Sequence, residues 1–395
     1  MKITNNLFCI LLITLIYSAS IAQNNLYLGQ TPPDEYAKRF PPTNYLANSQ
    51  WFWHGSPCFS PDGSEMYWVK YFTSTNKTQI WYSKYANNSW SSPKQAPFAE
   101  SQYKTNNPYF RNSNDTLYFY STKPGAFIYY VTRLDTVWSQ PKPLTIPIPN
   151  DKTPGSQFSF ANSGTIYFEL TNIGTSNTDL YYSVCLNGVY QVPINLGTSI
   201  NSLVYDWSPL ISGDEKTLFF SSNRDGGFGY NDIYCSKKNE SGNWGTPINL
   251  TIRINGNSDD AFPYITPDNK YFFFTTAKAS DNGYNPYWIS INYINSLLTN
   301  VDDNSLLLNN FNLYQNFPNP FNPSTTIKFS LLTSDFVTLK VYDTLGKEIT
   351  TLISEELNAG NHTKTFIASN ISSGVYFYKL QAGKFSEIKK MVLMR

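Results

Sequence analysis

Five segments of this chain, beginning at Ser56, Asn107, Ser156, Ser208 and Phe262, follow one pattern, each with a marker residue in its second place. Three positions ahead of the markers stand His54, Thr105, Pro154, Asp206 and Asp260. Two carboxylates held roughly 5 to 10 Å apart are the minimum for acid-assisted cleavage of a glycosidic bond. Only two of the five positions offer an acid, and none offers Glu. A Ser-His-Asp triad needs a histidine beside a nucleophile, but beyond His54 the chain holds only His362, near the C-terminus. A lone His is a poor metal site. Gly226, Gly227 and Gly229 suggest a phosphate loop, yet they link two strands instead of opening a helix. These residue types therefore favour non-covalent binding over catalysis.

The variable stretches around the same positions are rich in aromatic, amide and acidic side chains, which suit stacking on sugar rings or gripping an extended peptide. They hold Trp51, Trp53, His54, Lys104, Asn106, Asp206, Trp207, Arg224, Asp225, Phe228, Tyr230, Asp259, Asp260, Asp281, Asn282 and Tyr284. The expected ligand-binding set is Trp51, Trp53, His54, Asp206, Trp207, Arg224, Asp225, Tyr230 and Asp260. A structural reading stands beside it, since Asp206 and Asp260 are placed where such a residue caps a turn. Trp90, Trp138 and Trp244 recur at the repeat period and are expected to pack between repeats.

The elements that must position these residues follow from the repeat itself. The markers Pro57, Pro108, Gln157, Pro209 and Pro263 lie 51, 49, 52 and 54 positions apart. Each copy runs through a short strand, a Gly/Asn/Asp turn, an aromatic strand, a variable loop and a third strand, and the first four end in a Trp-led or similar stretch. Four strands at this period describe a β-propeller blade. The copies resemble the WD40-like Pro-Asp-Gly repeats of TolB-type propellers. Ser60-Pro61-Asp62-Gly63 keeps that motif intact, and Ser221 to Lys237 followed by Trp244 to Lys270 is the closest whole repeat. Where the motif is lost, Asn, Asp and Gly still tolerate a tight hairpin. The fifth copy ends after its third strand, Tyr287 to Ile294, and the leader Arg39 to Ser49 resembles the missing segment. It is expected to supply the outer strand of the last blade and close a ring of five, with six blades as the alternative count.

The C-terminal tail has a different character. Apolar positions alternate at Ile327/Phe329/Leu331, Val337/Leu339/Val341 and Val375/Phe377, between turns such as Thr344-Leu345-Gly346 and Asn358-Ala359-Gly360-Asn361. Period-2 runs of this length read as six or seven half-buried strands in a small immunoglobulin-like β-sandwich. Pro318, Pro320 and Pro323 fix φ and lack amide donors, so the stretch that contains them is expected to stay out of any central strand. Pro318-Asn319-Pro320, Gly374-Val375-Tyr376 and Lys389-Lys390-Met391-Val392-Leu393 resemble the C-terminal sorting domain of the bacterial type IX secretion system. That resemblance implies recognition by the outer-membrane translocon, with removal of the tail as the cargo is released or anchored.

The other end agrees. Lys2, the apolar run Leu7 to Tyr17 and the small residues Ser20 and Ala22 read as a signal peptide ending before Gln23. The run is shorter than the roughly 20 apolar residues of a spanning helix. Without Lys2, 28 basic residues balance 28 acidic ones, which gives no electrostatic case for nucleic acid or an anionic membrane. Aromatic residues make up 17% and charged residues only 14%, as expected for a turn-dense all-β protein. Cys58, Cys185 and Cys235 lack metal-site spacing and are expected to be buried thiols.

The expected plan is a signal peptide (1–22), a leader (23–50), a propeller (51–298), a linker (299–312) and a sorting domain (313–395) whose signal includes Pro318, Asn319, Pro320, Gly374, Tyr376, Lys389 and Lys390. The expected route runs through the periplasm to the outer surface or the medium. The expected partners are the translocon and an extracellular or surface protein, peptide or glycan. Neither a cofactor, a metal, nucleic acid nor a transmembrane anchor is expected. A secreted polysaccharide hydrolase is the alternative function.

Overall fold

A computed structural model describes residues 27–41, 45, 51–175, 177–277, 284–299, 312–331, 335–358, 360–369, 371–383 and 385–394. The signal peptide, Asp281, Asn282 and most of the linker lie outside the described residues, as do the side chains of Trp51 and Phe52. The chain divides into two compact units between Ile294 and Asn295, within the helix Ile291–Thr299.

Among the described residues the first unit is built from five antiparallel blade sheets and a short two-stranded ribbon, Cys185–Leu186 with Val189–Tyr190. Blade 1 runs from the interrupted inner strand Trp51–Trp53 and Cys58–Phe59 through Glu65–Phe72 and Lys77–Ala86 to Lys94–Gln95. Blade 2 uses Thr105–Phe110, Thr116–Ser121, Ile128–Leu134 and Lys142–Pro143; blade 3 uses Lys152–Phe160, Ile166–Asn172, Thr178–Ser183 and Ile194–Asn195. Blade 4 uses Asp206–Ile211, Thr217–Ser222, Asp232–Lys237 and Ile248–Asn249. Blade 5 has Asp260–Ile265, Tyr271–Thr276 and Asn285–Ser290, and its outer strand is Lys38–Arg39 from the leader, with Lys38 opposite Trp288 and Arg39 opposite Tyr287.

Neighbouring blades are joined directly. Thr105 Oγ1 accepts the amide of Ile80 across blades 1 and 2, Asn107 Nδ2 donates to Phe158 O across blades 2 and 3, and the Ile211 amide donates to Ser159 Oγ across blades 3 and 4. Phe219 and Phe272 meet at 5.2 Å across blades 4 and 5. Ser56 Oγ donates to Phe262 O and the Phe59 amide to Tyr264 Oη, so blade 5 abuts blade 1 and the ring closes at five, with no place for a sixth.

The marker prolines have a physical reason. In blades 2 to 5 the inner strand is bulged, between Asn106 and Tyr109, Pro154 and Phe158, Trp207 and Leu210, and Ala261 and Tyr264. Proline has no amide to give to the ladder, and a bulge is where a strand tolerates it. The residue before three of these prolines adopts a left-handed backbone, at φ 46° for Asn107, 55° for Ser208 and 56° for Phe262. Non-glycine residues adopt this conformation only when their surroundings enforce it. The inner strands converge on an axial cavity of about 40 Å³, lined in part by Pro57, Pro108, Pro209 and Pro263. That is room for a few waters and not for a sugar ring.

A second repeated device fixes the outer strands. Asn201 accepts the Leu180 amide, donates to Leu180 O and also to Asn195 Oδ1; Asn255 does the same with Ile233 and Asn249. Trp138 packs with Phe98 and Phe110 and donates to Tyr67 Oη at 3.2 Å, which joins blades 1 and 2. Trp90 lies against Tyr85, and Trp244 lies under Lys238 beside the core of blades 3 and 4. Cys58 and Cys235 are buried and Cys185 is partly so, all three as free thiols.

The second unit is a sandwich of seven strands among the described residues. One sheet holds Asn312–Leu313, Ser324–Leu331 and Gly360–Ile367. The other holds Glu348–Leu357, Asp335–Tyr342, Gly374–Ala382 and Phe385–Leu393. Ile327, Phe329 and Leu331 from the first sheet share a core with Val337, Leu339 and Val341 from the second, as their alternation implies. The strand from Gly374 differs from expectation. Tyr376, Tyr378 and Leu380 face the core, whereas Val375 is 37% exposed. Both faces of this strand are apolar enough to bury, and Tyr378 decides the register because its hydroxyl reaches Tyr314 O at 2.7 Å.

Candidate functional site

In blades 4 and 5 the inner strand starts beside the end of the second strand, Asp206 opposite Ser222 and Asp260 opposite Thr276. The connection entering a blade and the loop between its second and third strands therefore share one end of it. An aromatic cluster occupies that end across blades 4, 5 and 1. Trp207 meets Phe262 edge to face at 5.1 Å, Phe262 meets Tyr284 at 5.6 Å and His54 at 5.4 Å, and Tyr205 lies 5.7 Å from Trp207. Phe262 is buried at the centre, while Tyr205, Trp207, Tyr284 and His54 remain partly exposed around it.

Polar groups hold these rings in place. Trp207 Nε1 donates to Asn231 Oδ1, Asn231 Nδ2 donates to Asp259 Oδ1 at 2.7 Å, and Tyr284 Oη donates to Asp259 Oδ2 at 3.2 Å. Both oxygens of Asp259 are thus engaged in orienting rings. Burial, with Lys104 adding to it, lowers the His54 imidazole to about 4, so the ring is neutral at physiological pH. The arrangement offers pre-oriented aromatic surface with neutral hydrogen-bonding groups at its edge.

Several sequence-predicted residues do not belong to this exposed surface. Trp53 is buried, stacked on Trp68 at 5.6 Å with its indole N–H on Tyr45 O, so it is a core residue. Asp206 is also buried. Its Oδ2 accepts the Ser202 amide and hydroxyl and its Oδ1 pairs with Arg224 at 2.6 Å, which makes it the cap of a turn. Arg224 is consumed by Asp206, Ile200 O and Ser222, and lies over the Phe220 and Tyr234 rings. Asp260 repeats the turn role, accepting the Gly256 amide at 2.6 Å from a fully buried position. Asp225 and Tyr230 are exposed, and Trp207 and His54 are in the cluster. Trp51 contributes backbone to blade 1, and its side chain lies outside the described residues.

One polar group escaped the sequence reading. Glu169, buried in the second strand of blade 3, accepts the amides of Ser156 and Gln157 on Oε1 and of Ser208 on Oε2. It satisfies bulged backbone in two adjacent blades. Its register holds Val69, Tyr120, Ser221 and Thr275 in the other copies, so the one available signal was an acid inside an otherwise apolar strand.

In the tail, residues far apart in sequence form one locked structure. Asn316 is buried, donating through Nδ2 to Pro318 O and Thr325 Oγ1, while its amide meets Tyr378 Oη. Asn319 Oδ1 accepts the Val392 amide, the Phe321 amide donates to Val392 O, and the Met394 amide donates to Phe321 O. The proline-bearing stretch therefore lies against the C-terminal strand as an edge partner, which its missing amides permit. Gln315 Nε2 donates to Lys390 O, whose side chain is exposed; Lys389 pairs with Glu387, and Tyr376 Oη donates to Ser372 O just before Gly374. Pro320 is exposed.

Residues 315–394 match the family model described as a secretion system C-terminal sorting domain. The protein is accordingly an exported one, destined for the cell surface or the medium. No helix among the described residues is long and apolar enough to cross a membrane. A comparison with curated proteins finds no match. Among solved structures, an oligogalacturonate lyase in complex with manganese is 11% identical over 62% of this chain and 66% of that one, with a TM-score of 0.34. PorZ of Porphyromonas gingivalis, a bacterial surface component of the type IX secretion system, is 13% identical over 89% of this chain and 53% of that one, with a TM-score of 0.34. The endo-arabinase from Bacteroides thetaiotaomicron is 14% identical over 64% and 97%, with a TM-score of 0.37. This chain spans about two thirds of the lyase and half of PorZ. Likenesses this distant leave function to the residues of this chain.

Proposed function

We propose that the propeller is an exported binding module that holds a glycan on the aromatic cluster of blades 4, 5 and 1, and that the tail serves as its type IX sorting signal. The observation that carries this reading is Trp207, partly exposed, seated edge-on against buried Phe262 and pinned through its indole N–H by Asn231. A ring already fixed before the ligand arrives loses little entropy on binding. Tyr205 and Tyr284 extend the same surface, and neutral His54 adds a polar edge without charge. The resemblance of the repeats to TolB-type Pro-Asp-Gly propellers supports a docking role rather than a catalytic one. Nothing at Asp206 favours hydrolysis, since Arg224 and Ser202 engage both of its oxygens.

A glycan array probed with the full-length protein tests this reading. Trp207→Ala and Tyr284→Ala are expected to weaken binding to the preferred glycan by about fivefold or more, given roughly 1 kcal/mol or more for each aromatic contact. Glycan binding unchanged in both variants would move the site elsewhere. Cleavage of aryl glycosides by the wild type, abolished in Asp206→Asn, would replace binding with catalysis.

A further inference from the structure

Between blades 2 and 3 the chain runs Leu144-Thr145-Ile146-Pro147-Ile148-Pro149-Asn150 before entering the inner strand of blade 3. Leu144 still donates its amide to Ile128 O, but Pro147 and Pro149 have no amide, so the segment cannot continue as a fourth-strand ladder. Among the described residues, the amides of Thr145 and Ile146 meet no acceptor. Facing this segment is the loop that follows the second strand of blade 2. The two walls enclose a groove of about 630 Å³, within the range of pockets that hold small ligands or peptide segments.

The chemistry of the groove is asymmetric. Its apolar wall is mainly aliphatic, from Leu144, Ile146, Ile148, Pro149 and Pro154; of its two aromatic members, Tyr120 and Phe127, the latter lies against Phe168 at 5.6 Å. Sugar rings want a flat exposed aromatic face, whereas branched aliphatic walls suit aliphatic side chains. Two lysines, Lys123 and Lys152, line the groove and no carboxylate does. Lys123 is held by Glu100 at 2.6 Å, and Lys152 by Asp151 and Asn172. Tyr181 also engages Lys152, so Lys123, with one carboxylate partner for its three donors, is the ammonium left able to bind a further anion. The amide of Thr145 completes the set: it follows Leu144, whose own amide turns inward to Ile128 O, and it can meet a carbonyl of a strand-like ligand.

We propose that this groove binds an extended peptide segment with aliphatic side chains and at least one carboxylate, at a site independent of the aromatic cluster. An acid side chain meets Lys123, aliphatic side chains fill the wall, and a backbone carbonyl meets the Thr145 amide.

The test is a positional-scanning fluorescent hexapeptide library presented to the full-length protein, with tetragalacturonate and laurate as competing probes. Hexapeptides carrying Asp or Glu among Val, Ile and Leu are expected to be enriched. Their binding should fall at least tenfold in Lys123→Gln and in Thr145→Trp, which fills the groove from an exposed position, with unchanged thermal melting. It should persist in Trp207→Ala, so that loss of glycan binding and loss of peptide binding are read separately. Enrichment without acidic residues, equal binding by Thr145→Trp, or stronger binding of either competing probe at the same groove overturns the proposal.

Discussion

Asn319 Oδ1 accepts the backbone amide of Val392 at 2.8 Å, which joins the proline-bearing stretch of the tail to its last strand. Phe321 brackets the same strand through Val392 O and the Met394 amide, so three hydrogen bonds tie two regions 73 residues apart. The two ends of the matched sorting domain are therefore one surface, present only when the tail is folded. Asn319→Ala leaves the Val392 amide without its acceptor, at a cost of about 1 to 3 kcal/mol. The expected outcome is protein retained in the cell and a lowered melting temperature of the tail. Asn319→Asp keeps an acceptor and should be exported better than the alanine variant. Equal export of wild type and Asn319→Ala would separate signal recognition from this contact.

Gly155 is required by a close approach. A Cβ at that position would lie 2.0 Å from Glu169 Oε1 and 2.4 Å from its Cδ. The carboxylate has nowhere to retreat, since three backbone amides from blades 3 and 4 hold it. Gly155→Ala is expected to destabilise the propeller by about 2 to 4 kcal/mol, as overpacking and a broken buried network together do. Combined with Glu169→Ala, the loss should be smaller than the sum of the two single losses, because the clash disappears with the carboxylate. Strict additivity in a urea-unfolding cycle would show that the two residues do not meet.

The blades were legible because a proline marker and an aromatic strand recur at fixed spacing, and the sandwich because Ile327/Phe329/Leu331 and Val337/Leu339/Val341 alternate with polar residues. What residue type could not give was exposure. Trp53 and Trp207 look alike in sequence, yet Trp53 pairs with Trp68 in the core while Trp207 sits at the blade end. Asp206 and Asp260 could be read as ligand carboxylates or as turn caps, and the amides of Ser202 and Gly256, four positions earlier, decide for the cap. The matching sequences Pro193-Ile194-Asn195-Leu196 and Pro247-Ile248-Asn249-Leu250, each followed six residues after its Asn by Asn201 or Asn255, carried the outer-strand clamp in plain view. The long-range pairing of Glu169 with the Ser208 amide left no trace beyond an acid inside an apolar strand.

Two buried acids make stability depend on pH. Burial raises Glu169 from an ordinary 4.5 to about 7 despite its three amide donors. Burial likewise raises Asp260 from 3.8 to about 7, with Asp232 and Asp259 adding to it and the Gly256 amide and Thr276 hydroxyl opposing. Between the ordinary and the folded values the native state binds more protons than the unfolded chain, so this contribution to stability falls as pH rises. It is fully present below about pH 4 and lost by the time pH passes about 7, on the order of 1 to 3 kcal/mol per group. Glu65 acts in the opposite sense: burial opposes it, but Arg133 and Lys84 hold it below its ordinary 4.5, so its effect is felt only at more acid pH. Urea midpoints of the propeller are expected to be higher at pH 5 than at pH 8, and Asp260→Asn should flatten that difference. An identical slope in wild type and variant would assign the dependence to other groups.

Phe40 shows how the ring is held shut. Beside the two-residue strand Lys38–Arg39, its amide donates to Pro286 O at 2.8 Å and its ring is fully buried against Phe273 at 5.1 Å and Trp288 at 5.6 Å. Arg39 adds a hydrogen bond to Asn285 Oδ1 at 2.7 Å. Two ladder positions alone are a weak closure, so most of the holding comes from burial of the aromatic ring. Phe40→Ala is expected to cost about 3 to 5 kcal/mol through the cavity it leaves, and Arg39→Ala much less. Because closure links the leader to the third strand of blade 5, hydrogen exchange should rise first at Asn285–Ser290 in Phe40→Ala. Exchange rising uniformly over all five blades would mean that the ring opens as one cooperative unit and that Phe40 is no special latch.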